Sequence, residues 1–173
     1  MVKLRRKKAD VQKQKIVLLH GNTQLTDIMR GMLSSFGVHN VYEVKDIDWA
    51  HDLLHRIRPT FAIVDYKLSQ SNGVEFVRTV RNDSQSADPQ LPILMMAKHA
   101  RRQHVMEAIN VGVNEFLALP IHPKGFYRQV DRIINYPWSY INVSGYFGPD
   151  RRRLKDPTFN GPFRREGDFF RHR

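Results

Sequence analysis

Five short apolar runs, each followed by apolar residues at helical spacing, constrain this chain more than any other feature. The runs are KIVLL (15–19), VYEV (41–44), FAIVD (61–65), ILMMA (93–97) and EFLAL (115–119). Short continuous runs of this kind mark strands buried on both faces. After them come Leu25, Ile28, Met29, Met32, Leu33 and Phe36, then Ala50, Leu53, Leu54 and Ile57, then Val74, Val77 and Val80. Val105, Ala108 and Ile109 make a fourth set, and Phe126, Val130, Ile133 and Ile134 a fifth. Each set fits one face of a helix. The punctuation agrees: Asn22 or Thr23 can cap the first helix and Gly37 end it, the second stops before Pro59, and Asn72 starts the third. Gly112 closes the fourth, and Pro123 suits the first turn of the fifth. Residues 83–92, DSQSADPQLP, are polar loop. Strand–helix alternation of this regularity predicts an α/β chain, doubly wound, with five parallel strands covered by helices on both faces.

In such a sheet the working site lies beyond the carboxyl ends of the strands, where the strand order switches. The third run delivers one acid, Asp65, to that place. It is the first candidate for chemistry.

Charge bears on the partners. The chain is 173 residues long with a formal net charge of +11, unevenly placed. Residues 1–15 carry +6 and residues 145–173 carry +4, so the predicted fold is nearly neutral at +1. Residues 1–14 read as a basic, solvated arm, 15–136 as the folded domain, and 137–173 as a basic tail. The absence of cysteine excludes disulfides and thiolate metal sites. No segment approaches the apolar length of a membrane span. The basic N-terminus has no apolar stretch behind it, so a cytoplasmic protein is the expectation.

The tail is rich in Gly, Pro, Arg and aromatics and lacks an apolar period. It contains a near-repeat: YFGPDRRR (146–153) and FNGPFRRE (159–166) each have an aromatic, then Gly-Pro, then paired arginines, 13 residues apart. Pro and Gly disfavour helix and central strand there. The segment reads as an extended tail with two copies of one short binding element. Arg151, Arg152, Arg164 and Arg165 are its candidate contacts, and arginine forks with aromatics suit acidic or nucleic-acid surfaces alike; two weak copies can gain avidity.

Residues 16–136 resemble the receiver domain of response regulators in bacterial two-component signalling. The family pattern after the third strand is a phosphoacceptor Asp, two variable residues, Met-Pro, two more, then Asp-Gly. Asp65, Leu68, Ser69, Asn72 and Gly73 stand at those places. GVNEFLALPIHP (112–123) resembles the family's Gly-Ala-x-x-Tyr-Leu-x-Lys-Pro-Phe segment, with Gly112, Phe116, Leu117 and Pro120 matching. The resemblance implies a flavodoxin-like (βα)5 receiver fold with strand order 2-1-3-4-5. It also implies a switch aromatic at Phe116 and a cis peptide before Pro120.

At the site the chain departs from the family. The acidic pair that helps bind Mg2+ is replaced by His20 and Gly21. The Thr or Ser after the fourth strand is Ala97, and the Lys after the fifth is Leu119. Phosphoryl transfer to a carboxylate depends on neutralising charge around the moving group. One carboxylate, a backbone carbonyl and waters make a weak Mg2+ site, and neutral histidine is a poor Mg2+ ligand. Losing the cation and the lysine removes contributions of several kcal/mol each, or many powers of ten in rate. The expectation is a divergent pseudo-receiver, not an enzyme and without a cofactor, that signals by binding protein. The alternative is a genuine phosphoacceptor that uses Asp65 and Mg2+.

Several finer expectations follow. Lys67 or Lys98 pairs with Asp65 and fixes the site in one state. His20 with Asp65 is too small a set for a transition metal, and His20 reads instead as a satisfied histidine at a strand end. Lys98, Arg101 and Arg102 gather at the start of a helix, where the macrodipole disfavours cations. The family uses the face of the fourth helix, fifth strand and fifth helix for partners or self-pairing. Arg101, Arg102, Glu115, Tyr127, Arg128 and Arg132 are expected on or near it. The implied partner is a histidine kinase, a phosphotransfer protein or a larger signalling assembly, with a homodimer possible. Nucleic-acid binding by the tails is a further alternative. No helix-turn-helix or other reading module follows the domain, which counts against it.

Overall fold

The computed structural model of the chain describes residues 11–68, 71–136 and 138–151. Five strands, β1 (Lys15–Leu19), β2 (Asn40–Val44), β3 (Phe61–Asp65), β4 (Ile93–Ala97) and β5 (Glu115–Ala118), form one sheet in the order β2-β1-β3-β4-β5. All four pairings are parallel. Five helices alternate with them: α1 (Thr23–Ser35), α2 (Ile47–Ile57), α3 (Gly73–Asn82), α4 (Arg102–Val111) and α5 (Pro123–Asn135).

The strands' two faces belong to two separate cores. Ile16, Leu18, Phe61, Ile63, Leu94 and Met96 pack with Met29, Leu33, Phe126 and Val130 of α1 and α5. Val17, Leu19, Ala62, Val64, Ile93 and Met95 pack with residues of α2, α3 and α4, among them Leu54, Phe76, Val77 and Ala108. Burial on both sides is why the strands read as unbroken apolar runs.

The caps fall at the expected places. Asn22 accepts from the Leu25 amide and Asn72 from the Val74 amide. Gly37 and Gly112 take left-handed φ of 87° and 96° after their helices. The fifth strand ends one residue early, and a cis Leu119–Pro120 peptide follows.

Two boundaries differ from the sequence reading. The N-terminal arm, assigned to 1–14, gives up its last residues to the fold. Val11–Lys13 make a short 3-10 turn (η1), the Gln12 carbonyl accepts from Asn40, and Gln14 is buried.

The larger difference lies after α5. The segment read as extended tail forms an antiparallel hairpin, β6 (Tyr140–Val143) and β7 (Tyr146–Pro149), closed by Ser144-Gly145 with Gly145 at φ 75°. The first four residues of the near-repeat's first copy are thus a strand. Gly and Pro are tolerated because this is a two-stranded ribbon, where Gly148 supplies close approach and Pro149 ends the pairing. β7 packs on α3 and α4.

One buried cation organises this junction. Arg81, 3% exposed at the end of α3, donates to the Gly112 carbonyl (3.0 Å), the Pro89 carbonyl (2.8 Å) and Asn114 Oδ1 (3.0 Å). The Tyr140 ring covers its guanidinium at 5.4 Å. Burial lowers the Arg81 pKa from its ordinary value. Asn114 Oδ1 also accepts from the Ile93 amide at 2.8 Å, and its Nδ2 donates to the Tyr140 hydroxyl at 2.9 Å. A guanidinium buried away from water needs this many partners.

Candidate functional site

The site forms where β1 and β3 run side by side and the strand order switches. β1 pairs with β3 through Leu19 and Val64, so the residues beyond them, His20 and Asp65, are neighbours. His20 is buried, and its amide donates to the Val44 carbonyl at 3.0 Å. Its Nδ1 accepts from the Asn22 amide at 2.7 Å. A backbone N–H can only donate, so the ring hydrogen sits on Nε2. Nε2 lies 3.0 Å from Asp65 Oδ2 and donates to it, a hydrogen bond strengthened by the carboxylate charge. The other oxygen, Oδ1, accepts from the Lys67 amide at 3.3 Å. Both carboxylate oxygens are engaged, and the side chain is only 15% exposed.

The lysine partner expected for Asp65 is therefore corrected. Among the described residues, neither Lys67 nor Lys98 makes an ion pair with it, and both lie exposed. The physical reason is proximity and entropy. A rigid imidazole on the adjacent strand meets the carboxylate directly, whereas a lysine must immobilise four carbons to do so. The reading of His20 as a satisfied strand-end histidine holds.

The remaining places add no ligand. Ala97, at the end of β4, is buried and offers only a methyl group. Leu119 donates its amide to the Ala97 carbonyl at 2.9 Å and brings an aliphatic side chain. Gly21 is exposed and has no side chain. Mg2+ needs several hard oxygens at once. Here one carboxylate is already held by an N–H on each oxygen, and its neighbour is an imidazole that presents a hydrogen. The residues present do not fit the ion. No set of three or more metal-ligating side chains occurs among the described residues.

Gly73 closes the pocket from the other side. Its amide donates to the Tyr66 carbonyl at 3.0 Å, and a Cβ there would collide with the Asp65 carbonyl oxygen. This is the place where the family pattern requires glycine, and the contact supplies the reason.

A second relay was not singled out in the sequence. Tyr66, next to the acid, donates its hydroxyl to Glu107 Oε2 at 2.5 Å and stacks on His104 at 4.4 Å between centroids. The bond to Glu107, then burial, raises the Tyr66 pKa above its ordinary value. His104 and Glu107 are three apart and share one face of α4. An aromatic following the acid, with His and Glu at helical spacing on α4, is the signal that was available. Phe116 is half-buried on β5 and packs against the core. With Ala108, Ile109 and Trp138 it lines a groove of about 270 Å3 beside α4.

The predicted partner residues separate. Arg101 and Arg102 stand exposed at the start of α4, with no side-chain cap. Arg132 of α5 pairs with Glu115 of β5 at 3.2 Å, and exposed Arg128 lies one turn before it. Tyr127 of α5 sets its ring edge-on to Phe36, the C-cap of α1, at 4.6 Å, which turns the ring toward α1. Arg151 is turned onto the fold: its Nη2 donates to the Ile109 carbonyl (2.6 Å) and the Val113 carbonyl (3.1 Å) at the end of α4. Arg152, Arg164 and Arg165 lie outside the described residues.

The sheet order, the acid at its switch point and the glycine after it define a receiver: a signalling domain built around one aspartate. Comparison with known proteins agrees. The family described as "Response regulator receiver domain" matches residues 16–131, and the chain belongs to it. The chemotaxis protein CheY of Pseudomonas aeruginosa is 26% identical over 119 residues, which are 69% of this chain and 94% of that protein. CheY-3 of Vibrio cholerae is 24% identical over 119 residues, covering 69% of this chain and 90% of that one. Among solved structures, the receiver domain of a Pseudomonas aeruginosa sensor histidine kinase superimposes with a TM-score of 0.62 at 25% identity, covering 70% of this chain and 97% of that one. That structure holds a magnesium ion in its active-site cleft. The family match stops at residue 131, so the hairpin lies beyond it.

Proposed function

We infer that this receiver acts as a divergent pseudo-receiver, an adaptor in a two-component phosphorelay-type pathway that works by binding protein rather than by accepting phosphate. The observation that carries this reading is the His20–Asp65 hydrogen bond. It occupies the oxygen a phosphoryl group would approach, and it puts a ring N–H where a cation-binding acid is needed. The alternative is a working phosphoacceptor, in which Asp65 must shed His20 and gather Mg2+ from groups that lack the oxygens for it.

On this reading the binding surface needs no phosphorylation. α4 contacts Tyr66 through Glu107, and Arg151 and the hairpin at its end, and none of these contacts involves a phosphoryl group. Its exposed cations Arg101 and Arg102, with Arg128 on α5, favour an acidic docking surface on a histidine kinase, phosphotransfer protein or larger assembly. Nucleic-acid binding finds less support: the basic clusters that would drive it fall in residues 1–10 and 152–173, and no reading module accompanies them.

The test is incubation with acetyl phosphate and Mg2+ followed by intact-mass measurement. The expected mass is that of the unmodified chain. A stoichiometric phosphoryl adduct lost in Asp65→Ala would refute the reading. Binding of a captured partner should be the same for Asp65→Ala and wild type.

A further inference from the structure

The near-repeat in the C-terminal region gains a meaning from the contacts of its first copy. Three of the residues that both copies share are the ones that dock the first. Gly148 lies against Gly112: a Cβ on it would come within 2.9 Å of the Gly112 Cα. Pro149 is buried opposite Tyr140 of β6, and its carbonyl accepts from the Tyr146 hydroxyl at 3.2 Å. Arg151 donates to two carbonyls at and just beyond the carboxyl end of α4, where the helix dipole favours a cation. The second copy repeats these residues in order as Gly161, Pro162 and Arg164, behind an aromatic, Phe159, in place of Tyr146. The positions that differ matter less to docking. Phe147, half-buried over Tyr140 at 6.0 Å, becomes Asn160, and Asp150 becomes Phe163.

We propose that the carboxyl end of α4, together with β6, is a receptor for a Gly-Pro-x-Arg unit, and that residues 159–166 of the same chain are its second occupant, taking the place of 146–151. The exchange leaves β6 in place and lengthens the hairpin connection from two residues (144–145) to fifteen (144–158). Loop closure favours the first unit by roughly 20-fold for that change in length. The tail therefore has two registers. In the minor one the first unit, with Arg151, is released from the fold and available to a partner.

The experiment is hydrogen exchange of the β6 amides (140–143), read by mass spectrometry on the full chain, with β1 and β3 amides as the control for an intact receiver. Gly148→Val expels the first unit, because its side chain meets the Gly112 backbone. The expected result is that β6 protection falls on the order of 20-fold in Gly148→Val, is unchanged in Gly161→Val, and vanishes in the double variant. Arg151→Ala and Arg164→Ala form a milder pair, and together they should lose more protection than the sum of the two alone. If Gly148→Val is already as unprotected as the double variant, or the arginine losses simply add, the second unit does not use this receptor. Protection in Gly148→Val that grows with protein concentration would assign the site to a second copy's unit and overturn the intrachain exchange.

Discussion

His20 Nε2 and Asp65 Oδ2 lie 3.0 Å apart across the β1–β3 pair, with the ring hydrogen between them. In a phosphorylatable receiver this space belongs to a cation. Here an uncharged donor fills it, and the Asn22 amide on the far side of the ring fixes which nitrogen carries the hydrogen.

Replacing His20 by alanine removes the donor and leaves the Asp65 carboxylate with only the Lys67 amide. The expected loss is about 1–3 kcal/mol in urea unfolding, the cost of a partly buried acceptor left short of a partner. His20→Asp with Gly21→Asp sets three carboxylates together instead. That variant should be less stable than wild type without metal and regain stability with Mg2+, read as a rise in Tm with metal concentration. The Tm of wild type should not respond to Mg2+.

Gly73→Ala drives a methyl group into the Asp65 carbonyl oxygen and the Val64 side chain. Backbone cannot yield there without moving β3 or the start of α3. A destabilisation of about 3 kcal/mol is expected. Gly31→Ala, with open space around its Cβ, is the control and should be neutral or slightly stabilising.

Arg81→Met keeps the bulk of the side chain and removes its donors. The Gly112 and Pro89 carbonyls and Asn114 lose their shared partner. About 2–4 kcal/mol should be lost. Tyr140→Phe, which deletes only the hydroxyl bonded to Asn114, should cost about 1 kcal/mol. Denaturation midpoints of the two variants test the order.

Stability should narrow at both ends of the pH scale. His51 packs on Phe76 at 4.9 Å between centroids, and its buried Nε2 has no hydrogen-bond partner. Burial lowers its pKa from the ordinary 6.5. The unfolded chain then binds the proton first, so stability is lost as pH falls below about 6.5. For Tyr66 the bond to Glu107, and for Tyr140 burial, raises the hydroxyl pKa above the ordinary 10. The folded chain holds those protons longer, so stability is lost as pH rises through about 10. Melting curves across pH should show both shoulders. His51→Leu should flatten the acid one, and Tyr66→Phe with Tyr140→Phe the alkaline one.

The sheet was legible because each strand is buried on both faces, so its apolar run is continuous, and because glycine, asparagine and proline stand at the helix ends. The departures from the family pattern were legible as missing atoms: the side chains of Gly21, Ala97 and Leu119 have no oxygen or charge to offer. What replaced them was not. Whether His20 or a lysine reaches Asp65 depends on strand adjacency and side-chain entropy, which residue spacing does not encode. The hairpin escaped because β6 and β7 are four residues each and lack an apolar period. Their hold on the fold comes from the buried Arg81, Asn114, Arg151 and two glycines that nearly touch, partners more than 25 residues apart in the chain. The contact of Tyr127 was not legible for a related reason, since its neighbour Phe36 caps a helix nearly a hundred residues earlier.

α4 spans ten residues, a rod of about 15 Å. Its front face is moored to the aromatic beside the acid, and its far tip is gripped by the guanidinium that follows the hairpin. One ten-residue helix thus carries both a contact to the residue beside Asp65 and a contact to the residue that follows the hairpin.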